Sequence, residues 1–109
     1  MASELFTLFC TCPDAACAAD MAKALVEERL AACVNLVPGL RSFYRWKGQV
    51  QEESEVLLII KTAQERFEAV EERIAELHPY ELPELLAVPI TTGSAAYLAW
   101  LREESSPTG

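Results

Sequence analysis

Positive charge is scarce in this chain. Nine lysines and arginines stand against 17 aspartates and glutamates in 109 residues, leaving a net charge of −8. So acidic a surface repels phosphate backbones, which removes nucleic acid from the expected partners. There is a single histidine, with neither serine nor cysteine beside it in sequence, so a nucleophile–base pair has little basis. No P-loop, GxGxxG, HExxH or GxSxG occurs. An enzyme is therefore not expected. Long apolar stretches are missing as well. Runs such as Val56 to Ile60 fall far short of the roughly 20 residues of a membrane helix, and nothing reads as a signal peptide. No membrane partner is expected, and a cytoplasmic location with reduced thiols is. Linkers, repeats and low-complexity tracts are absent, so one domain over residues 1–109 is expected. Only residues 1–4 and 103–109 are expected to be loose.

Core-forming material is plentiful: 51% of the residues are hydrophobic. Leu5 to Thr11 reads as a buried strand, and Asp14 caps a helix running to about Leu30. Cys33 to Val37 and Ser42 to Trp46 are extended, with a bend at Pro38-Gly39. Lys47-Gly48 is a hairpin turn, and the return strand runs to about Thr62. Gln64 to Leu77 has apolar residues at helical spacing (Phe67, Val70, Ile74, Leu77) and is stopped by Pro79. Leu85 to Thr92 is a fourth strand, and Ser94 caps a last helix. The order β-α-β-β-α-β plus a C-terminal helix is the ferredoxin-like α+β pattern: one antiparallel sheet with helices on one face.

Both faces of that sheet are apolar. Val56, Leu58 and Ile60 point one way, Leu57 and Ile59 the other, and Leu5 with Phe9 oppose Phe6, Leu8 and Cys10. Four large side chains left in water would forgo roughly 6–12 kcal/mol, comparable with the whole stability of a small domain. An oligomer follows as the expectation, with the long hairpin as an arm between subunits.

Chemistry is concentrated in two places. Cys10, Cys12 and Cys17 form C-x-C-x4-C across the first strand–helix junction, where thiolates suit Cu(I) and Zn(II). Cys17 falls at the third helical position, where the helix dipole favours its thiolate. Plain core filling is the alternative for all three. The second place is HPYELPE, a loop stiffened by Pro79 and Pro83 that carries His78, Tyr80, Glu81 and Glu84. It suits an ion or a small ligand, or else a subunit contact.

Five blocks, LVEERLAACVNLVPG, SFYRWKGQVQ, EVLLIIKT, HPYELPELLAVPI and YLAWL, appear in order over nearly the whole chain. In these the sequence resembles the divalent-cation tolerance (CutA) family. The resemblance implies a homotrimer in the cytoplasm, without established enzymatic activity, acting in divalent-cation and chiefly copper tolerance. It implies Cys10, Cys33 and His78 as copper ligands. It also brings Trp46 and Lys61 to a subunit cleft with Tyr80, Glu81 and Glu84. For His78 a helix-capping role is the alternative, and for Cys33 core filling. Because the family trimer resembles that of PII signalling proteins, the second functional expectation is a module binding a small ligand in the intersubunit cleft. No cofactor is expected to be needed for folding.

Overall fold

The structure is a computed structural model that describes residues 4–108. It contains β1 (Leu5–Cys12), α1 (Ala15–Glu27), β2 (Cys33–Trp46), β3 (Gln49–Ala63), a 3-10 turn (Gln64–Arg66), α2 (Phe67–Leu77), β4 (Leu86–Pro89) and α3 (Ala95–Glu104). The four strands form one antiparallel sheet in the order β2-β3-β1-β4.

Local chemistry explains the boundaries. Asp14 accepts a hydrogen bond from the Cys17 amide at 2.8 Å and so caps α1. The helix stops three residues before the expected Leu30, because Arg29 turns into the left-handed region at φ 59°. That conformation is unfavourable for a side chain bearing a Cβ, and Arg29 is held in it by tertiary bonds. Its guanidinium donates to the Ser106 and Glu103 carbonyls at 2.8 and 2.9 Å, at the end of α3. Lys47 and Gly48, both at positive φ, make the expected turn between β2 and β3. The Pro38-Gly39 bend does not interrupt β2 but enters it as a register shift between Val37 and Leu40.

The fourth strand is shorter than expected. Only Leu86–Pro89 pairs regularly with β1, since Pro89 has no amide hydrogen to donate and only the Ile90 amide continues, to the Leu5 carbonyl. The C-terminal end is also more ordered than expected. Glu103 and Glu104 finish α3, and Ser105 is fully buried with its hydroxyl donating to the Leu101 carbonyl at 2.7 Å. Glu4 is hydrogen-bonded to Gln64; residues 1–3 and 109 lie outside the described residues.

Strand alternation divides the core. Leu8, Cys10, Cys12, Val56, Leu58 and Ile60 face α1 and α2 and pack on Met21, Leu25, Val70 and Ile74. The helices are not confined to that side. On the opposite face α3 closes one end, where Leu101 meets Leu5, Ala32 and Ala63. Farther along this second face Phe9, Leu57 and Ile59 are half-buried, and Val37, Leu86 and Val88 are exposed. The β2–β3 hairpin projects from the body and gives the chain extents of 45 × 25 × 22 Å.

Candidate metal centre and adjoining cleft

The alternation that builds the core also sorts the cysteines. β1 continues to Cys12, so Cys10 and Cys12 lie two residues apart on the face toward the helices. Both are fully buried. His78 occupies the C-cap position of α2, but only its backbone caps, donating to the Ile74 carbonyl at 2.8 Å. Its ring turns inward. Nε2 donates to the Thr11 carbonyl at 2.7 Å and lies 3.9 Å from Cys12 Sγ, while Nδ1 accepts the Tyr80 amide at 3.1 Å. The Cys10, Cys12 and His78 donor atoms all fall within 4.8 Å of one another. An ion with metal–sulfur bonds of about 2.3 Å separates its ligands by about 3.8 Å in a tetrahedron and about 4.6 Å in a line. The 3.9 Å between Cys12 Sγ and His78 Nε2 falls in that range. Two thiols and an imidazole are the donor types of copper and zinc, not of magnesium or calcium.

Cys33 does not join them. It pairs with Lys61 on β3, whereas Cys10 pairs with Leu58. Three residues separate those β3 positions, an odd number, so the two thiols point to opposite faces of the sheet. Cys33 sits instead with Tyr97 of α3 and donates to Asn35 Oδ1 at 3.8 Å. Of the expected ligand set of Cys10, Cys33 and His78, the structure brings together Cys10 and His78 and leaves Cys33 on the other face, with Cys12 of the C-x-C-x4-C group beside them instead. Cys12 and Cys17 resist ionisation. The hydrogen bond with Cys10, then burial, then the charge of Cys10 raise the Cys12 pKa well above the usual thiol range. Cys17 is pushed up to about 11, chiefly by burial and then by the charge of Cys12. Cys17 is half-buried and borders a shallow pocket with Pro13, Asp14, Asp20, Met21, Leu77 and Pro79.

The loop after α2 also walls a cleft of about 660 Å³ on the hairpin side. Of the residues expected at a subunit cleft, Trp46, Tyr80, Glu81 and Glu84 line this cleft within one chain, and Lys61 does not. Lys61 stands six residues along β3 from the cleft's Glu55 and donates to Asn35 Oδ1. Glu55 and Thr11 are lining residues that the sequence did not single out. Glu55 is buried and accepts the Tyr80 hydroxyl at 2.8 Å. Burial, then the bond and charge of Glu55, raise the Tyr80 pKa above its ordinary value. Burial and then the charge of Glu55 raise that of Glu84. Among the described residues no basic side chain lines the cleft, and no ion pair involves Glu55, Glu81 or Glu84.

Comparison with known proteins agrees with this architecture. A family model described as "CutA1 divalent ion tolerance protein" matches residues 6–104. The chain is 55% identical over 95 residues to the divalent-cation tolerance protein CutA of Thermus thermophilus, covering 87% of this chain and 92% of that protein. It is 46% identical over 95 residues to protein CutA of Homo sapiens, of which it spans about half, 53%. The solved structure of the divalent cation tolerance protein Cut A1 from Thermus thermophilus superposes with a TM-score of 0.92 at 51% identity. That match covers 94% of this chain and 99% of the other.

Proposed function

This chain belongs to the CutA1 divalent ion tolerance protein family, and we propose that it binds a soft or borderline transition metal, copper first, as a non-enzymatic homotrimer in the cytoplasm. The observation that carries this reading is the convergence of Cys10, Cys12 and His78 in one buried corner. The two thiolates would hold the metal, and the imidazole of His78 is a nitrogen donor within reach for an ion that needs one. The metal is cargo here: its removal from solution, not a reaction, serves tolerance. All four cysteines are free thiols, and a reducing compartment keeps them so.

Assembly is supported by the apolar second face, which α3 covers only at one end. The antiparallel order β4-β1-β3-β2 supports the reading of the chain as one ferredoxin-like domain. The small-ligand reading keeps one observation in its favour, the cleft beside Trp46 and Tyr80. Three carboxylates and no cation in its lining disfavour an anionic metabolite there.

The test is calorimetric titration of the metal-free protein with copper, and with magnesium as the hard-ion control. Copper is expected to bind to the parent and to be lost from Cys10→Ser, while magnesium binds neither. Copper affinity that survives Cys10→Ser unchanged refutes the site.

A further inference from the structure

The corner of Cys10 and Cys12 holds a third sulfur. Met21 lies one helical turn beyond Cys17 on α1, is 1% exposed, and places its Sδ 3.6 Å from Cys12 Sγ. That is closer than the imidazole, at 3.9 Å. The two neighbours differ in what ligation would cost them. A thioether carries no proton and can ligate without losing one. Met21 Sδ accepts from the Cys12 thiol, whose proton any bound metal must displace.

His78 is committed on both ring nitrogens. The Tyr80 amide can only donate, so Nδ1 carries the lone pair. The Thr11 carbonyl can only accept, so Nε2 carries the hydrogen. The nitrogen nearest the thiols is therefore the protonated one. Ligation through it requires moving that hydrogen to Nδ1, which leaves the Thr11 carbonyl and the Tyr80 amide without their present partners.

The choice of donor divides the ions. Thioethers are soft ligands that select Cu(I), whereas Zn(II) takes thiolate, imidazole or carboxylate, normally four of them. We propose that Cu(I) is held by the three sulfurs of Cys10, Cys12 and Met21 with His78 left on its hydrogen bonds, whereas Zn(II) must recruit His78, so that Met21 makes the site discriminate for Cu(I). This rests on the reading of Cys10 and Cys12 as a metal site and deepens it.

The experiment uses the full chain, metal-free and under anaerobic conditions. Cu(I) affinity is measured by competition with a chromogenic Cu(I) chelator and Zn(II) affinity with a fluorescent zinc chelator. Met21→Leu conserves volume in the core. It is expected to weaken Cu(I) by at least about tenfold, a loss that even outer-shell partners commonly produce, and to leave Zn(II) within about twofold of the parent. His78→Gln is expected to do the reverse. Selenomethionine labelling gives a readout without mutation, since the chain has two methionines, Met1 and Met21. Loaded with Cu(I), the labelled protein is expected to show a copper–selenium shell in X-ray absorption. Cu(I) affinity unchanged in Met21→Leu, or no such shell, overturns the role of Met21, and the Cys10–Cys12 reading stands if Cys10→Ser still loses Cu(I). Unchanged Cu(I) affinity in Cys10→Ser overturns the underlying reading itself.

Discussion

Leu86→Asp separates folding from assembly. Leu86 opens β4 on the uncovered sheet face and is 58% exposed in the isolated chain, beside Val88 at 48%, with Val37 on the same face at 38%. A fully buried aliphatic side chain is worth about 1.5–3 kcal/mol, so completing the burial of these three contributes about 2–4 kcal/mol per protomer. For three protomers that is about 6–12 kcal/mol, to which the half-buried Phe9, Leu57 and Ile59 add. In a lone chain the new carboxylate at position 86 stays in water, and the cost is that of a surface substitution, about 0.5 kcal/mol. In an assembly the same carboxylate is buried without a partner, at several kcal/mol per copy, which exceeds what Leu86 itself contributes. The parent is expected to scatter light as three copies of 12.1 kDa, and Leu86→Asp as one copy with unchanged circular dichroism. A parent that runs as a folded monomer, or a variant that stays trimeric, refutes the reasoning.

Two further outcomes concern the loop after α2. The Tyr80 pKa is raised in the fold, so above about pH 10 the unfolded chain loses this proton while the native state keeps it, and stability falls as pH rises. Tyr80→Phe removes this contribution, and its urea-unfolding stability is expected to decline less steeply than the parent's above that pH; parallel curves contradict the assignment. Purified protein is expected to show no hydrolase, transferase or redox turnover that His78→Ala removes with the fold intact. Activity lost in that variant overturns the binding reading.

Local features of the fold could be read from the sequence, because short-range chemistry sets them. The Asp14 cap, the Lys47-Gly48 turn and the two-faced apolar block VLLII all occur as read. What escaped depends on distant partners. Arg29 ends α1 early through carbonyls more than 70 residues away. The placement of Cys33 against Cys10 requires the register of two strands against a third, and no composition or spacing reveals that Cys33 meets Lys61. Cys12 stands in the C-x-C-x4-C group, but its sharing a face with Cys10 depends on β1 continuing one residue past Thr11, as it does. The inward turn of the His78 ring depends on the Thr11 carbonyl at the end of β1. A signal for Met21 did exist: it stands four residues after Cys17 and so shares its helix face.

The measurement that bears most directly on the proposed metal centre compares Cys12→Ser with Cys33→Ser. Each removes one thiol, from opposite faces of the same sheet. With Cu(I) affinity read by competition against a chromogenic chelator, Cys33→Ser is expected to match the parent, and Cys12→Ser to bind at least about a hundredfold more weakly, having lost a thiolate from the site. The reverse result, with Cys33→Ser losing copper and Cys12→Ser retaining it, would contradict a centre built from Cys10, Cys12 and their buried neighbours.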